Sequence, residues 1–400
     1  MRSETVDSLP AEGEFAAWGE CSLSCGDNAI ELLDDLSRFL LKNSEAKNYP
    51  DLISFAFFCR KSNLERLISE IVSEQDLANM RGLGTLFHIT PSNVPMNFAM
   101  SFLFGFLSGN TNIVKAPVDK FAQAKIFIDA WFCVAKHTHF LESNWFCDFS
   151  RSDPNISSFV ARADGLLVWG GDQTILSIRQ LARKPAAVSW EFPDRYSIAI
   201  MSATSVSEAQ EREIWALVGN FYNDTLLVDQ NACSSPSLIT WIGSLEEIET
   251  ARKRFWPEFE RFVEEKNKTM DVATKLTRSV DLAYLGSRMQ GIQSNSNWYS
   301  NVNFLWANDL SLIDLAERRP KLGLFLEAGV TDLSQMQRCT GVLGPKLQTV
   351  SVFGLDQSAV RHMLQSKGVG DRVVTVGQAL AYSLIWDGRN AIYQLSKIVE

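Results

Sequence analysis

Cys233 stands in the run Leu227-Val-Asp-Gln-Asn-Ala-Cys-Ser-Ser-Pro236, where small and turn-forming residues follow an apolar segment. A loop of that kind presents a thiol to a substrate. Sulfur attacks carbonyl carbon as the thiolate, so the site needs partial exposure and either donors or positive potential. The competing reading is a buried structural cysteine, the commoner fate of a free thiol. Three upstream segments favour chemistry: Pro91-Ser-Asn-Val-Pro95, Ser108-Gly-Asn-Thr-Asn-Ile-Val-Lys115, and Trp169-Gly-Gly171. A side-chain amide at Asn93, between a strand and a helix, can meet an oxygen that becomes negative, or it can simply cap the helix. Lys115 ends a strand, where a lysine is ordinarily just solvated. Gly170 and Gly171 let the backbone come close to a diphosphate, with the following helix N-terminus adding a favourable dipole.

These residues need elements to hold them. Apolar positions Ile30, Leu33, Leu36, Phe39 and Leu40 recur at helical spacing, and the stretch 29–73 reads as helical with a break at Asn48-Tyr-Pro50. A strand at 84–90 enters the Pro91–Pro95 turn, and an apolar helix follows over 94–107. Further strands are expected at 111–115, 165–169 and 186–190, with helices over 120–136 and 173–182 between them. This alternation predicts a parallel sheet with crossover helices, whose ligands bind beyond the carboxyl ends of the strands. A second round begins after Pro193, with a strand over 196–201, a helix over 207–220, the cysteine loop and a charged helix over 245–268. The rest reads as mixed α/β ending in a short helix. We divide the chain at residues 205 and 375, into N-terminal helices with a dinucleotide-binding domain, a catalytic domain, and a C-terminal segment returning to the first.

Composition narrows the function classes. With 46% hydrophobic and 21% charged residues over 400 positions, the chain is globular and large enough for more than one domain. A net charge of −9 and the lack of a basic stripe argue against nucleic acid. The cysteines at 21, 25, 59, 133, 147, 233 and 339 show no disulfide or zinc spacing, which fits a reducing, cytoplasmic setting. Cys133, His137, His139 and Cys147 are too irregularly spaced for a metal site, and none is expected. The polar, acidic N-terminus does not read as a signal peptide, and the apolar run 94–107 is too short to span a bilayer. The Phe and Met side of that helix reads as core packing rather than as an acyl channel.

In order and rough spacing, Pro91–Pro95, Ser108–Lys115, Trp169–Gly171, Cys233 and Leu343-Gly-Pro345 resemble the aldehyde dehydrogenase superfamily. Within it, Gln230-Asn-Ala-Cys-Ser-Ser-Pro236, Leu347-Gln-Thr-Val350, Gly377 and Trp386-Asp-Gly388 are similar to the acyl-CoA reductases of the bacterial bioluminescence fatty-acid reductase (LuxC) type. The resemblance covers roughly residues 80–390. It implies an aldehyde-dehydrogenase-like α/β fold of two doubly wound domains, with a reduced oligomerisation element because little in the sequence before Gly84 could form the family's usual oligomerisation hairpin. It implies that Cys233 is the nucleophile, that Asn93 and the Cys233 amide form the oxyanion hole, and that Glu191 stands where the superfamily keeps a general base. Lys115, Gly170, Gly171, Thr90, Pro91 and Val118 fall at the coenzyme. Relatives that prefer NAD often carry an acid where this chain has Val118, so NADPH is expected, with NADH the alternative because Asp119 is close by. Gly341 departs from the superfamily pattern, which has a glutamate there for the nicotinamide ribose.

The expected reaction is reduction of an acyl thioester to an aldehyde through S-acyl-Cys233, with acyl-CoA or an acyl-carrying partner such as an acyl-protein synthetase as donor. Two rivals stand beside it. One is NAD(P)-dependent aldehyde oxidation with Glu191 activating water, and the other is a non-catalytic acyl-protein docking partner. Homo-oligomerisation is left open.

Overall fold

The computed structural model describes residues 20–400 apart from 151, 267–270, 289–291, 295–299, 317, 338 and 340. Most of the N-terminal stretch read for a leader, and the end of the helix expected through Lys268, lie outside the described residues. The chain divides into two compact units, Met1–Pro193 with Tyr382–Glu400, and Asp194–Ala381.

In the first unit, β1 (Met80–Gly82) leads into a five-stranded sheet of β2 (Thr85–Ile89), β3 (Thr111–Lys115), β4 (Asn144–Cys147), β5 (Gly165–Trp169) and β6 (Val188–Phe192). Its order is β4-β3-β2-β5-β6, and every pairing is parallel. Parallel strands joined by crossover helices are covered on both faces, and accordingly all five residues of β2 and of β5 are buried. The helix Asn97–Leu107 joins β2 to β3, and every residue from Phe98 to Leu107 is buried. Phe98, Phe102, Phe106, Phe127, Trp131 and Phe146 meet edge to face around it. That side of the helix is core, as expected, and truncating one such ring costs about 3 to 5 kcal/mol. The short strand β4 is an addition to the elements expected from the sequence.

A buried polar network crosses this sheet. His88 Nδ1 lies 2.8 Å from Ser101 Oγ and Nε2 3.0 Å from Asn112 Oδ1, Trp169 Nε1 donates to Ser101 Oγ at 3.0 Å, and Asn112 Nδ2 donates to Asn144 Oδ1 at 2.7 Å. Asn110 accepts from the N–H groups of Leu83 and Gly84 and donates to Leu395 O, pinning the C-terminal segment to the same strands. The Ser108–Lys115 motif is thus first of all a scaffold. The C-terminal segment adds the short pair β14 (Ile385–Trp386) and β15 (Arg389–Asn390), and then β16 (Ser396–Ile398), which pairs antiparallel with β1. The chain therefore closes on a strand, preceded by the four-residue helix Ala391–Gln394.

The second unit holds a seven-stranded sheet: β7 (Tyr196–Ser202), β8 (Pro236–Ile242), β9 (Ile292–Ser294), β10 (Asn303–Ala307), β11 (Leu324–Val330), β12 (Leu347–Phe353) and β13 (Arg372–Thr375). The order is β13-β12-β7-β8-β11-β10-β9, parallel except for β9. Because β7 pairs with β8 and β12, this unit begins at Asp194, ahead of the division expected at residue 205. The helix expected over 207–220 is two helices, Ala203–Glu208 and Glu211–Asp224, the second opened by a capping box between Gln210 and Glu213. Glu327, fully buried on β11, accepts from Trp241 Nε1 at 2.8 Å and Trp256 Nε1 at 2.9 Å and pairs with Arg252 at 2.8 Å. A buried carboxylate requires such a full set of donors.

Burial holds the His88 ring neutral, its pKa pushed down to about 3 against an ordinary 6.5. The folded value is the lower one, so the unfolded chain takes up a proton first and stability falls as pH drops below about 6.5. At pH 5 the loss is about 2 kcal/mol. Asp224, pushed up to about 6 by burial, works in the opposite direction over the same window. The informative quantity is therefore the difference between variant and wild type. In urea unfolding at pH 7 and pH 5, His88→Gln should remove about 2 kcal/mol of the pH-dependent loss, whereas an unchanged difference would show that His88 titrates freely.

Candidate active site

In the first unit the expected coenzyme residues gather at the carboxyl ends of the parallel strands. A cleft of about 420 Å³ there is lined by Ser92 after β2, Lys115 and Pro117 to Lys120 after β3, and Asp148 to Ser150 after β4, with Val118 excepted. Lys115 Nζ lies 3.4 Å from Ser92 Oγ and 5.5 Å from the centre of the Phe149 ring. Thr90 is buried and donates its hydroxyl to Lys115 O at 2.6 Å, so it fastens β2 to β3 and does not line the cleft. Val118 packs against the hydrophobic core instead of facing the cleft. The carboxylates that do line it are Asp119 and Asp148. Burial raises the Asp148 pKa, with Lys115 opposing and Asp119 reinforcing the shift. The argument from Val118 to the coenzyme therefore loses its basis, and the cleft holds two lysines and two aspartates.

Gly171 is the N-cap of the helix Asp172–Arg179, and a Cβ placed on it would meet nothing within 4 Å. That space lies at a helix N-terminus, where backbone N–H groups suit a phosphate. Gly170 donates its N–H to Phe192 O at 3.2 Å, which holds the turn against β6. These features fit a nicotinamide dinucleotide: a lysine-bearing cleft at the strand ends, and open backbone at a helix start. Pro91 is half-buried, and Asn93 is exposed with no side-chain hydrogen bond to the described residues. The helix after it starts at Asn97 with Met96 as its cap, so Asn93 is not a capping residue and its amide is available.

Glu191, on β6, is held by Arg179 from the last turn of the helix that Gly171 begins. Arg179 Nε donates to both carboxylate oxygens at 3.0 and 2.9 Å, Nη2 adds a further bond, and Ser189 Oγ donates at 3.3 Å. The guanidinium keeps the Glu191 carboxyl below the usual range, with partial burial opposing.

Cys233 lies in the second unit, partly exposed, just before β8. The Ser235 N–H donates to Ala232 O at 3.1 Å, closing a turn with Cys233 and Ser234 at its two central positions. Among the described residues nothing accepts from the N–H of Cys233 or Ser234. The Cys233 carbonyl, by contrast, accepts from Ser197 Oγ at 2.7 Å. An amide pair left open beside a thiol is what an attacked carbonyl oxygen requires. Five of the other six cysteines are less suited, the sixth being the exposed Cys21, whose backbone bridges to Asn110. Burial pushes the Cys25 thiol up to about 12 and raises Cys59 and Cys339, Cys147 donates to Val114 O, and Cys133 lies within a helix. Gly341 also has a physical explanation: a Cβ there would lie 2.3 Å from Ile313 O, so the backbone packing excludes a glutamate at this position. Among the described residues no group of His, Cys, Asp and Glu is placed to hold a metal ion, and no helix is long and apolar enough to cross a membrane. Sequence reading misses Asp148, Phe149 and Arg179. A charge or a ring in a short helix or a loop is the only signal such residues carry before the fold is known, and it does not say what they touch.

Comparison with known proteins places this architecture. No curated protein sequence matches the chain. Among solved structures, proline utilization A from Bradyrhizobium japonicum superposes with a TM-score of 0.64 at 12% identity over 96% of this chain, which spans only 43% of that protein's length. The 1-pyrroline-5-carboxylate dehydrogenase of Thermus thermophilus gives 0.65 at 11% identity, covering 96% of this chain and 82% of that one. Aldehyde dehydrogenase 21 from Physcomitrella patens gives 0.61 at 11%, covering 92% and 84%. At such identities the likeness shows the fold alone, and that fold is the one expected. The sequence model of the acyl-CoA reductase (LuxC) family matches residues 33–398, and the chain belongs to that family.

Proposed function

We propose that this protein reduces an acyl thioester, acyl-CoA or an acyl group on a partner protein, to the aldehyde, with NADPH as reductant. The observation that carries the reading is the turn at Cys233, a partly exposed thiol whose own amide and the next are open while its carbonyl is tied down. Cys233 attacks the thioester carbonyl as thiolate, the new C–S bond forms, and the donor thiolate leaves. The Cys233 N–H stabilises the oxyanion, and Asn93, with its uncommitted amide, is assigned as the second donor. When bound, a nicotinamide dinucleotide supplies the hydride that converts the S-acyl group to aldehyde. Lys115, Gly170 and Gly171 would hold that coenzyme, and Lys115 and Lys120 favour a 2′-phosphate, while Asp119 and Asp148 offer ribose hydroxyls acceptors.

Reduction demands that water be kept from the S-acyl group. Glu191 is assigned here as a carboxylate restrained by Arg179, because an ion-paired carboxylate with a lowered pKa is a weak general base. The aldehyde-oxidation alternative needs Glu191 free. Product analysis separates the two: acyl-CoA with NADPH should yield aldehyde and free CoA in equal amounts, with little acid. Arg179→Gln should raise acid release by about tenfold or more. Acid as the main product of the wild-type protein would favour the alternative, and unchanged hydrolysis in the variant would remove Glu191 from the account.

The coenzyme preference has its own test. A carboxylate near a 2′-phosphate costs several kcal/mol before solvent weakens it, so Asp148→Asn should raise the kcat/KM ratio of NADPH over NADH by about tenfold. An equal change with both coenzymes would place Asp148 away from the ribose.

A further inference from the structure

The nucleophile turn is fastened by a neighbouring stretch of chain, Arg319-Pro-Lys-Leu-Gly323, which runs into β11. Three sets of bonds join the two. Leu322 N donates to Asp229 O at 3.3 Å, and Gly323 N donates to Gln230 Oε1 at 2.8 Å. The buried Gln230 side chain returns bonds from Nε2 to Leu324 O at 3.3 Å and Pro236 O at 3.2 Å. Arg319 then reaches the residues next to the thiol: Nη1 donates to Ala232 O at 3.0 Å and to Arg195 O at 3.3 Å, and Nη2 donates to Asn231 O at 3.4 Å. No described carboxylate pairs with its guanidinium.

The backbone on both sides of this junction is left-handed. Asp229 and Gln230 have φ of 52° and 54°, and Leu322 and Gly323 have 60° and 80°. Residues bearing a Cβ adopt that region at a cost and keep it only when surrounding bonds impose it. The Gln230 and Gly323 bonds impose it at the start of the loop. Arg319 acts nearer the chemistry, on the two carbonyls immediately before Cys233. Together with Ser197 on the Cys233 carbonyl, it ties down the carbonyl oxygens of three successive residues, 231 to 233. Without Arg319 the Asn231 carbonyl loses the one donor it has among the described residues and the Ala232 carbonyl keeps only the Ser235 N–H. That weakens the hold against a peptide flip at 232–233, which would exchange the open Cys233 N–H for a carbonyl facing the substrate.

We propose that Arg319 is a positioning residue for the acyl-transfer step: its planar fork holds the Asn231 and Ala232 carbonyls so that the Cys233 thiol and amide point together at the thioester. This rests on the reading of Cys233 as nucleophile. A fork suits the task because two donors in one plane fix two oxygens at once, which an ammonium group does not do. A misplacement of about 1 Å can cost about a hundredfold in rate.

The test compares wild type with Arg319→Ala and Arg319→Lys, using acyl-CoA turnover and the rate at which iodoacetamide inactivates the enzyme. Arg319→Ala should lower kcat by about tenfold to a hundredfold with KM for acyl-CoA within about twofold, and should slow inactivation in parallel. Arg319→Lys, with the charge but not the fork, should remain at least about fivefold slow, and millimolar guanidinium ion should restore part of the alanine variant's rate. Unchanged kcat and inactivation rate in the alanine variant would overturn the proposal, as would a loss of activity matched by loss of folded protein in circular dichroism. If wild-type turnover survives full alkylation of Cys233, the nucleophile reading itself fails, an outcome distinct from an inert Arg319.

Discussion

A thiol that attacks a carbonyl must sit on backbone held firmly enough to aim it, by bonds that leave its own amide unused. Those two demands conflict, because the usual way to hold backbone is to satisfy its N–H groups. At Cys233, the nucleophile we propose, carbonyls are held instead. Ser197 takes the Cys233 carbonyl, Arg319 takes those of Asn231 and Ala232, and the Cys233 and Ser234 amides remain open. The sheet makes this arrangement possible. Ser197 lies on β7 and the loop leads into β8, its parallel neighbour, while Arg319 precedes β11 on the other side of β8. Three adjacent strands of one sheet thus hold the backbone of the loop that carries this thiol.

The first unit solves a different problem by the same means. The coenzyme site we propose there needs positive charge and open backbone at the ends of parallel strands, and the polar network of His88, Ser101, Asn112 and Asn144 ties the strands and the first crossover helix in register beneath the cleft. The network is buried, so each member must be satisfied by another. Its effect on function is indirect: Lys115 reaches the cleft because β3 is held between β2 and β4, and Thr90 bonds the carbonyl of Lys115 itself.

Much of this is legible in the sequence, and the omissions have common physical causes. Strands such as 165–169 announce themselves as unbroken apolar runs, and the Pro91–Pro95 and Gly170–Gly171 turns by residues that bend backbone. The strand Asn144–Cys147 has only four residues, begins with an asparagine and shows no alternation, so what makes it a strand is the pairing with β3. Counting from Lys115 puts Val118 at the coenzyme, but in the turn after Pro117 the valine goes to the core and its charged neighbours Asp119 and Lys120 face the cleft. An apolar residue between a proline and two charges carries that signal already. Arg319 and Arg179 read locally as solvated cations. Their partners lie 87 and 12 residues away, and only the folded sheet brings them together. Gly341 shows the reverse case, a departure from the superfamily pattern that looks like a lost carboxylate and is a packing requirement beside Ile313.

The central claim is that Cys233 carries the acyl group. Incubation of the protein with a panel of acyl-CoAs in the absence of coenzyme, followed by intact-mass measurement and peptide mapping, tests it most directly. The account predicts one added acyl mass, located on the peptide containing Cys233, removed by hydroxylamine and absent from Cys233→Ala. An adduct on another cysteine, or persistent labelling of the alanine variant, would contradict it.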